Sequence, residues 1–354
     1  MPNGFPLLRL PQNEIYRVLK SMELHQLVLL SFSSTRSKSL VESLNLKSSN
    51  EGKVWVLNGI DIFIWMPNGI QLYWHLYRDE FRQRDPNSPP MKMTKSKNVI
   101  FSTRGTDYPY SVHHIFNGMP LEMKDWLNHI KEILHFPIFH ELAFWNDEGF
   151  FDIESIKSAV GKVNEVAIAS PCTKKQISEK TRAFLLSKSL TFGNKVWPEK
   201  KPPGGILMQN FEILKTGLDG KPGNIDLDDL LLFNSKENYV VRNKLTEKDM
   251  NRYLKLWMKN RGDCRMESMW GELKSQMDID KTAVFKGIKY QQQEIRRERW
   301  HKTSSGGPYS IVIHGGYDII RRDGMVATIS FFSGKWLEMF VWHDHCFGEP
   351  GVLG

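Results

Sequence analysis

The chain has 354 residues, 40% hydrophobic and 12% aromatic, a composition that excludes a disordered polymer and leaves room for a small module plus one or two larger units. Lys and Arg total 48 against 40 Asp and Glu, but the net +8 is spread along the chain. Its dense cluster, Arg296, Arg297 and Arg299 around Glu298, reads as a solvated helix face, so nucleic-acid binding is not expected and an acidic partner surface suits the balance better.

No run of 18 apolar residues and no apolar N-terminal leader appear, which points to a chain made without translocation and with no membrane partner. Cys172, Cys264 and Cys346 lie far apart and no Asn-x-Ser/Thr sequon occurs, as in a reducing compartment, cytoplasmic or nuclear.

The first 45 residues are the most informative. Pro11 pre-sets a helical turn, and Ile15, Val18, Leu19 and Met22 then recur on one helical face. Leu24, Leu27, Val28, Leu29 and Leu30 form a second run, too apolar for a solvated helix. Ser33-Ser34 supplies an N-cap for a third helix carrying Leu40, Val41 and Leu44. A unit of about 40 residues without disulfide or metal rarely holds a core alone, so its apolar excess is expected to meet a second surface.

The order Phe5-Pro6-Leu7-Leu8-Arg9-Leu10-Pro11, then Ile15, Val18, Leu19, Met22, Leu27, Ser31, Ser34, Lys38 and Val41, resembles an F-box over residues 4–47, in the form abundant in nematode F-box families. The resemblance implies a helical clasp onto a Skp-type adaptor, which docks the cullin and RING subunits of an SCF ubiquitin ligase. It places the adaptor contact on Leu7, Leu10, Pro11, Ile15, Val18, Leu19, Met22, Leu27 and Leu30. The alternative is a three-helix lid whose Leu and Ile residues fill its own core.

Residues 52–119 read as an antiparallel β segment. Val54 to Trp74 forms a three-stranded meander with turns at Asn58-Gly59 and Pro67-Asn68-Gly69. Residues 78–97, with Arg, Pro, Ser and Lys and little apolar content, read as a mobile loop.

From 120 to 280 helix and strand patterns alternate. Leu142 to Asn146, Val166 to Ser170 and Leu190 to Asn194 share an apolar-x-apolar-x-polar pattern and begin 24 residues apart. Ile206-x-Met208-x-Asn210 and Tyr239-x-Val241-x-Asn243 continue it at a looser spacing. Helical patterns lie between: Met123, Trp126, Leu127, Ile130; Ile153, Ile156, Val160; Ile177, Phe184, Leu185; and Met250, Leu254, Trp257, Met258 after a capping-box-like Thr246 and Asp249. This predicts a degenerate leucine-rich-repeat-like α/β domain in which Asn side chains ladder by satisfying backbone groups; the alternative is an ordinary α/β sheet with irregular connections. Within it, Ile206-Leu-Met-Gln-Asn-Phe211, Leu227-Asp-Asp-Leu-Leu-Leu232, Leu245-Thr-Glu-Lys-Asp249 and Leu254-Lys-Leu-Trp-Met-Lys259 resemble the type 2 F-box-associated domain over 205–270, where that family captures substrates. Lys215 to Gly223 departs from it as a Gly- and Lys-rich insertion, and no substrate-contact residue is carried over.

Residues 281–354 read as a C-terminal β cap. Tyr317 to Ile320 meets Met325 to Phe332 across Arg322-Asp323-Gly324, and Trp336 to Trp342 adds a strand. The fold class is therefore α+β or α/β, with β-hairpins at both ends of the repeat-like domain.

No phosphate loop, His-Glu-x-x-His, Gly-x-Ser-x-Gly or paired CxxC occurs, so no catalytic residue and no cofactor is expected. His343-x-His345-Cys346 has residue types that could ligate zinc. In a strand, however, the two His share a face and Cys346 points away, with only His301 or His314 able to approach, so a metal site is not expected. Trp145, Trp197 and Trp270 could be recognition hot spots or core. The leading expectation is a non-catalytic substrate receptor of an SCF-type ligase with an unknown protein target. The alternatives are a cullin-independent interaction protein, a basic nucleic-acid binder centred on Arg296–Arg299, and a metal enzyme centred on His343 and His345.

Overall fold

A computed structural model describes residues 7–48, 52–83, 85, 88–105, 112–145, 149–169, 173–193, 196–197, 202–217, 220, 223–241, 243–259, 265–274, 278–303 and 310–348. The chain divides into two compact units, Met1–Asn164 and Glu165–Gly354. Among the described residues, no helix is long and apolar enough to cross a membrane.

The first unit opens with a 3-10 turn, Leu7–Arg9, and three helices, α1 (Gln12–Ser21), α2 (Leu24–Ser31) and α3 (Thr35–Glu42). Local chemistry fixes their starts. Pro11, at φ −55°, precedes α1; Glu23 and Gln26 form a reciprocal capping box on α2; and Ser34 Oγ accepts the Ser37 N–H at the head of α3.

An antiparallel meander follows: β1 (Lys53–Leu57), β2 (Gly59–Trp65), β3 (Gln71–Leu76), β4 (Asn98–Arg104) and β5 (Val112–Asn117), with β6 (Phe139–Phe144) parallel to β1 on its free side. The β2–β3 connection, residues 66–70, is closed by the Met66 N–H donating to the Ile70 carbonyl at 2.8 Å, with Gly69 taking φ 77° after Pro67-Asn68. The β1–β2 reversal is tighter than a two-residue turn. Leu57 already opposes Gly59, which sits at φ 137°, and a Cβ there would lie 2.6 Å from the Leu76 carbonyl oxygen.

Segment 78–97, expected to lack structure, is anchored instead. It contains α4 (Arg78–Arg82), and the Met91 N–H donates to the Phe150 carbonyl at 2.8 Å while the Asp152 N–H donates to the Met91 carbonyl at 2.9 Å. Met93 and Ser96 are buried, and Tyr77 donates its hydroxyl to the Thr94 carbonyl. The few apolar residues of the segment suffice because backbone pairing holds it. Helices α5 (Met123–Ile133) and α6 (Ile153–Val160) complete the unit, α5 burying Met123, Trp126, Leu127, Ile130 and Ile133 on one face.

The second unit takes in β7 (Val163–Ile168), whose first two residues precede the division, then α7 (Lys174–Ala183), β8 (Ser189–Phe192), α8 (Gly204–Leu207), β9 (Ile213–Thr216), α9 (Leu227–Leu232), β10 (Glu237–Val240), α10 (Glu247–Lys259) and β11 (Ser268–Glu272). The strands are parallel and each pairs with the next, aligning Glu165, Ser189, Ile213, Glu237 and Ser268. The 24-residue step thus persists to β10. Ile206–Asn210, read as a strand, instead falls in and after α8, which begins after Pro203 at φ −61°; the strand comes later, at Ile213. The Tyr239–Asn243 strand ends at Val240.

Asn234 Nδ2 donates to Asn210 Oδ1 at 2.7 Å, and Asn243 Nδ2 donates to the Val240 and Glu272 carbonyls, both at 2.9 Å. Asn146, Ser170 and Asn194 lie outside the described residues.

Beyond α11 (Lys281–Val284), strands β12 (Gln291–His301), β13 (Ile311–Ile320), β14 (Val326–Phe332) and β15 (Trp336–Val341) form an antiparallel meander whose last strand pairs with β11. The Arg296–Arg299 run lies in β12 and corrects the helix-face expectation. Next to the β12 bulge, the strand gains its order from pairing with β13, not from an apolar face.

Candidate functional site

Two classes of residue separate among the nine expected adaptor contacts. Ile15, Leu19 and Leu27 are 1%, 0% and 5% exposed and, with Val28 and Val41, make the core of the three helices, with Leu19 and Leu27 also reaching the wall of the cavity beside them. Leu7, Leu10, Val18, Met22 and Leu30 are half-buried, and Pro11 is exposed, so these six remain presentable. Part of the apolar excess is covered by the chain itself. Phe32, next to α2, stacks on His129 of α5 with ring centres 3.8 Å apart and meets Trp126 at 4.7 Å. Lys38 pairs with Glu132, and His135 Nε2 contacts the Glu42 carbonyl at 2.8 Å. A cavity of about 540 Å³ opens beside the helices, lined by Met22, Leu24, Leu44, Leu46, Met66 and Pro67 among others.

In the second unit, a cavity of about 800 Å³ between α10, α11 and the adjoining strands is lined by Lys248, Arg252, Lys281 and Lys286 with Tyr290 and Tyr317. Asp280, also in its wall, accepts the Thr282 and Ala283 N–H groups on Oδ1, and the four basic side chains outnumber its one carboxylate. The expected arginine cluster is less available. Arg299 grips Asp318 with Nη1 at 2.9 and 3.0 Å from the two carboxylate oxygens, and Arg297 donates to Gln293. Trp197 is 3% exposed, packed on Phe192, and so is core. Trp145 and Trp270 are half-buried. Trp270 stacks on Tyr239 at 4.4 Å, with Lys215 Nζ 5.8 Å from the Tyr239 ring.

The zinc-type triplet is rearranged. Residues 344–346 form a 3-10 turn, not a strand. His343 spends Nε2 on the Met266 carbonyl at 3.0 Å, while His345 Nε2 reaches Glu267 Oε1 at 3.0 Å. Glu267, buried ahead of β11, is the residue sequence reasoning missed. His301 in β12 is buried with Nε2 3.0 Å from the Val341 carbonyl, and His314 contacts Glu298 at 3.8 Å on an exposed edge. Burial lifts the Glu237 carboxyl above the usual range and lowers His301, and burial with the Glu267 charge pushes the Cys346 thiol up to about 12. Cys172 and Cys264 lie outside the described residues.

Comparison with family models finds an F-box domain over residues 7–49, covering the three helices, and an F-box associated domain over residues 203–270, from α8 to β11. The chain carries an F-box and an F-box associated domain. Comparison with curated proteins and with solved structures returns no match. This pairing indicates in general terms a substrate adaptor of SCF-type ligases, and F-box proteins are generally non-catalytic.

The F-box is held on α5 in part by a histidine whose burial favours the neutral form. Ser31 donates its hydroxyl to the Val28 carbonyl at 2.6 Å, so the 2.8 Å contact to His129 requires the imidazole to donate through Nε2. Burial, followed by the Lys38 charge, lowers the His129 pKa from 6.5 to about 4. Between those values the unfolded chain takes up a proton that the folded chain refuses. Stability from this group is therefore complete above pH 6.5 and declines as pH falls toward 4. The urea midpoint of the wild type should accordingly drop further between about pH 7.5 and 5 than that of His129→Gln. Equal drops would show that the contact carries no proton-linked stability.

Proposed function

We propose that the chain is the substrate-recognition subunit of an SCF-type cullin-RING ubiquitin ligase. Leu7, Leu10, Pro11, Val18, Met22 and Leu30 contact a Skp-type adaptor, and the second unit captures a protein target. The observation that carries this reading is an apolar, partly uncovered F-box surface lying over a core of Ile15, Leu19, Leu27, Val28 and Val41. The second unit reads as a leucine-rich-repeat-like array, supported by parallel strands in register at 24-residue steps. Holding the target beside the charged ligase makes ubiquitin transfer effectively intramolecular, so the chemistry belongs to the partners.

The full-length chain, mixed with purified adaptor, cullin and RING subunits, is expected to elute with all three as one complex. Elution with the adaptor alone would make it a cullin-independent interaction protein, and that result would overturn the ligase assignment.

A further inference from the structure

One side-chain cluster in the second unit plays no part in adaptor binding. Glu267 precedes β11, whereas His345 and Cys346 sit in the 3-10 turn after β15. One ligand atom from each, a carboxylate oxygen, a ring nitrogen and the thiol sulfur, lies within 4.8 Å of the other two. Glu267 and Cys346 are buried, while the His345 side chain is 56% exposed, so the cluster opens to solvent on one side. Next to it in the chain pairing stand two buried polar atoms that have no hydrogen-bond partner among the described residues. One is Glu237 Oε1, whose residue opposes Ser268 in the β10–β11 ladder; the other is His301 Nδ1, whose residue is bridged to Phe347.

We infer that Glu267, His345 and Cys346 form a binding site for a zinc-class divalent cation with an open fourth position. A set of one oxygen, one nitrogen and one sulfur donor suits a borderline-soft ion and not calcium or magnesium, which take oxygen shells. The 3.0 Å between His345 Nε2 and Glu267 Oε1 would have to open by only about 0.3–0.4 Å to span the edge of a tetrahedron built on bonds of about 2.0–2.1 Å. Charge balances as well. The Cys346 thiol passes its proton to solvent as its sulfur binds, and the thiolate with the Glu267 carboxylate neutralises the dication in a buried setting. Three protein donors leave a position for water or a fourth donor at the exposed His345 side. Because the donors come from either side of the β11–β15 pair, the ion would tie the C-terminal turn to the parallel strands.

The competing account is an ion pair alone, with Glu267 met by His345 and by Lys236 Nζ at 3.8 Å. The two accounts separate on metal content. The purified full-length chain, loaded with zinc and desalted, is expected to retain about one zinc per chain by mass spectrometry, and cobalt loading should give a thiolate-to-cobalt charge-transfer band. Cys346→Ser should abolish the band. His345→Gln, on the exposed side and still able to donate to Glu267, should remain folded without metal while zinc affinity weakens by more than about tenfold. A folded wild type that loses its zinc on desalting, or variants that keep both zinc and the cobalt band, would overturn the site.

Discussion

Leu19→Ala is expected to lower the unfolding free energy by about 2–5 kcal/mol, the range for truncating a large aliphatic side chain in a packed core. Leu19 is 0% exposed and sits in the three-helix core with Ile15, Leu27, Val28 and Val41. A unit this small has few other contacts with which to absorb the loss, so the variant should lose adaptor binding by losing its fold. Leu10→Ala with Pro11→Ala is the contrasting case. Leu10 is half-buried and Pro11 exposed, so urea unfolding should show a loss below about 1 kcal/mol. If the two variants are equally destabilised, the division of the F-box into core and contact residues fails.

Asp318→Ala is expected to cost about 3 kcal/mol, again read by urea unfolding. The Asp318 carboxylate receives both Arg299 bonds and, at 2.7 Å, the Thr328 hydroxyl, whose oxygen accepts the Trp342 Nε1–H at 2.8 Å. Arg299 and Asp318 are only 14% and 12% exposed in their side chains, and the guanidinium also lies 5.2 Å from the Trp342 ring. Removing the carboxylate leaves a largely buried cation that keeps its 2.9 Å bond from Nη2 to the Gly315 carbonyl. Asp318→Asn keeps the shape and one acceptor and should cost less. A loss below about 0.5 kcal/mol for Asp318→Ala would show that solvent reaches the pair after all.

Elements announced by local chemistry were legible before the structure. Pro11 and Ser34 mark helix starts, Thr246 and Asp249 cap α10 reciprocally, and Pro67-Asn68-Gly69 and Arg322-Asp323-Gly324 mark turns between strands that do pair. Where long-range pairing decides, periodicity failed. Strand β12 has little apolar alternation, and its order comes from β13. The repeat was lost at Ile206-x-Met208-x-Asn210, which mimics the strand pattern, whereas the Pro203 backbone starts a short helix and the strand waits until Ile213.

The F-box residues were identifiable as one apolar stripe, yet Val18 and Leu19 are neighbours in that stripe and only packing assigns the second to the core. Glu267 was invisible beside His345 because 78 residues separate them. Only the β11–β15 pairing brings their segments together.

The central claim is tested most directly by the equilibrium affinity of the purified full-length chain for a Skp-type adaptor, measured beside the Leu10→Ala, Pro11→Ala variant with the folding of both checked by circular dichroism. The account predicts tight binding by the wild type and a loss of at least about tenfold, 1.4 kcal/mol, in a variant that remains folded. A folded wild type that does not bind, or a variant that binds as tightly, would contradict it and leave the three helices as a lid on α5.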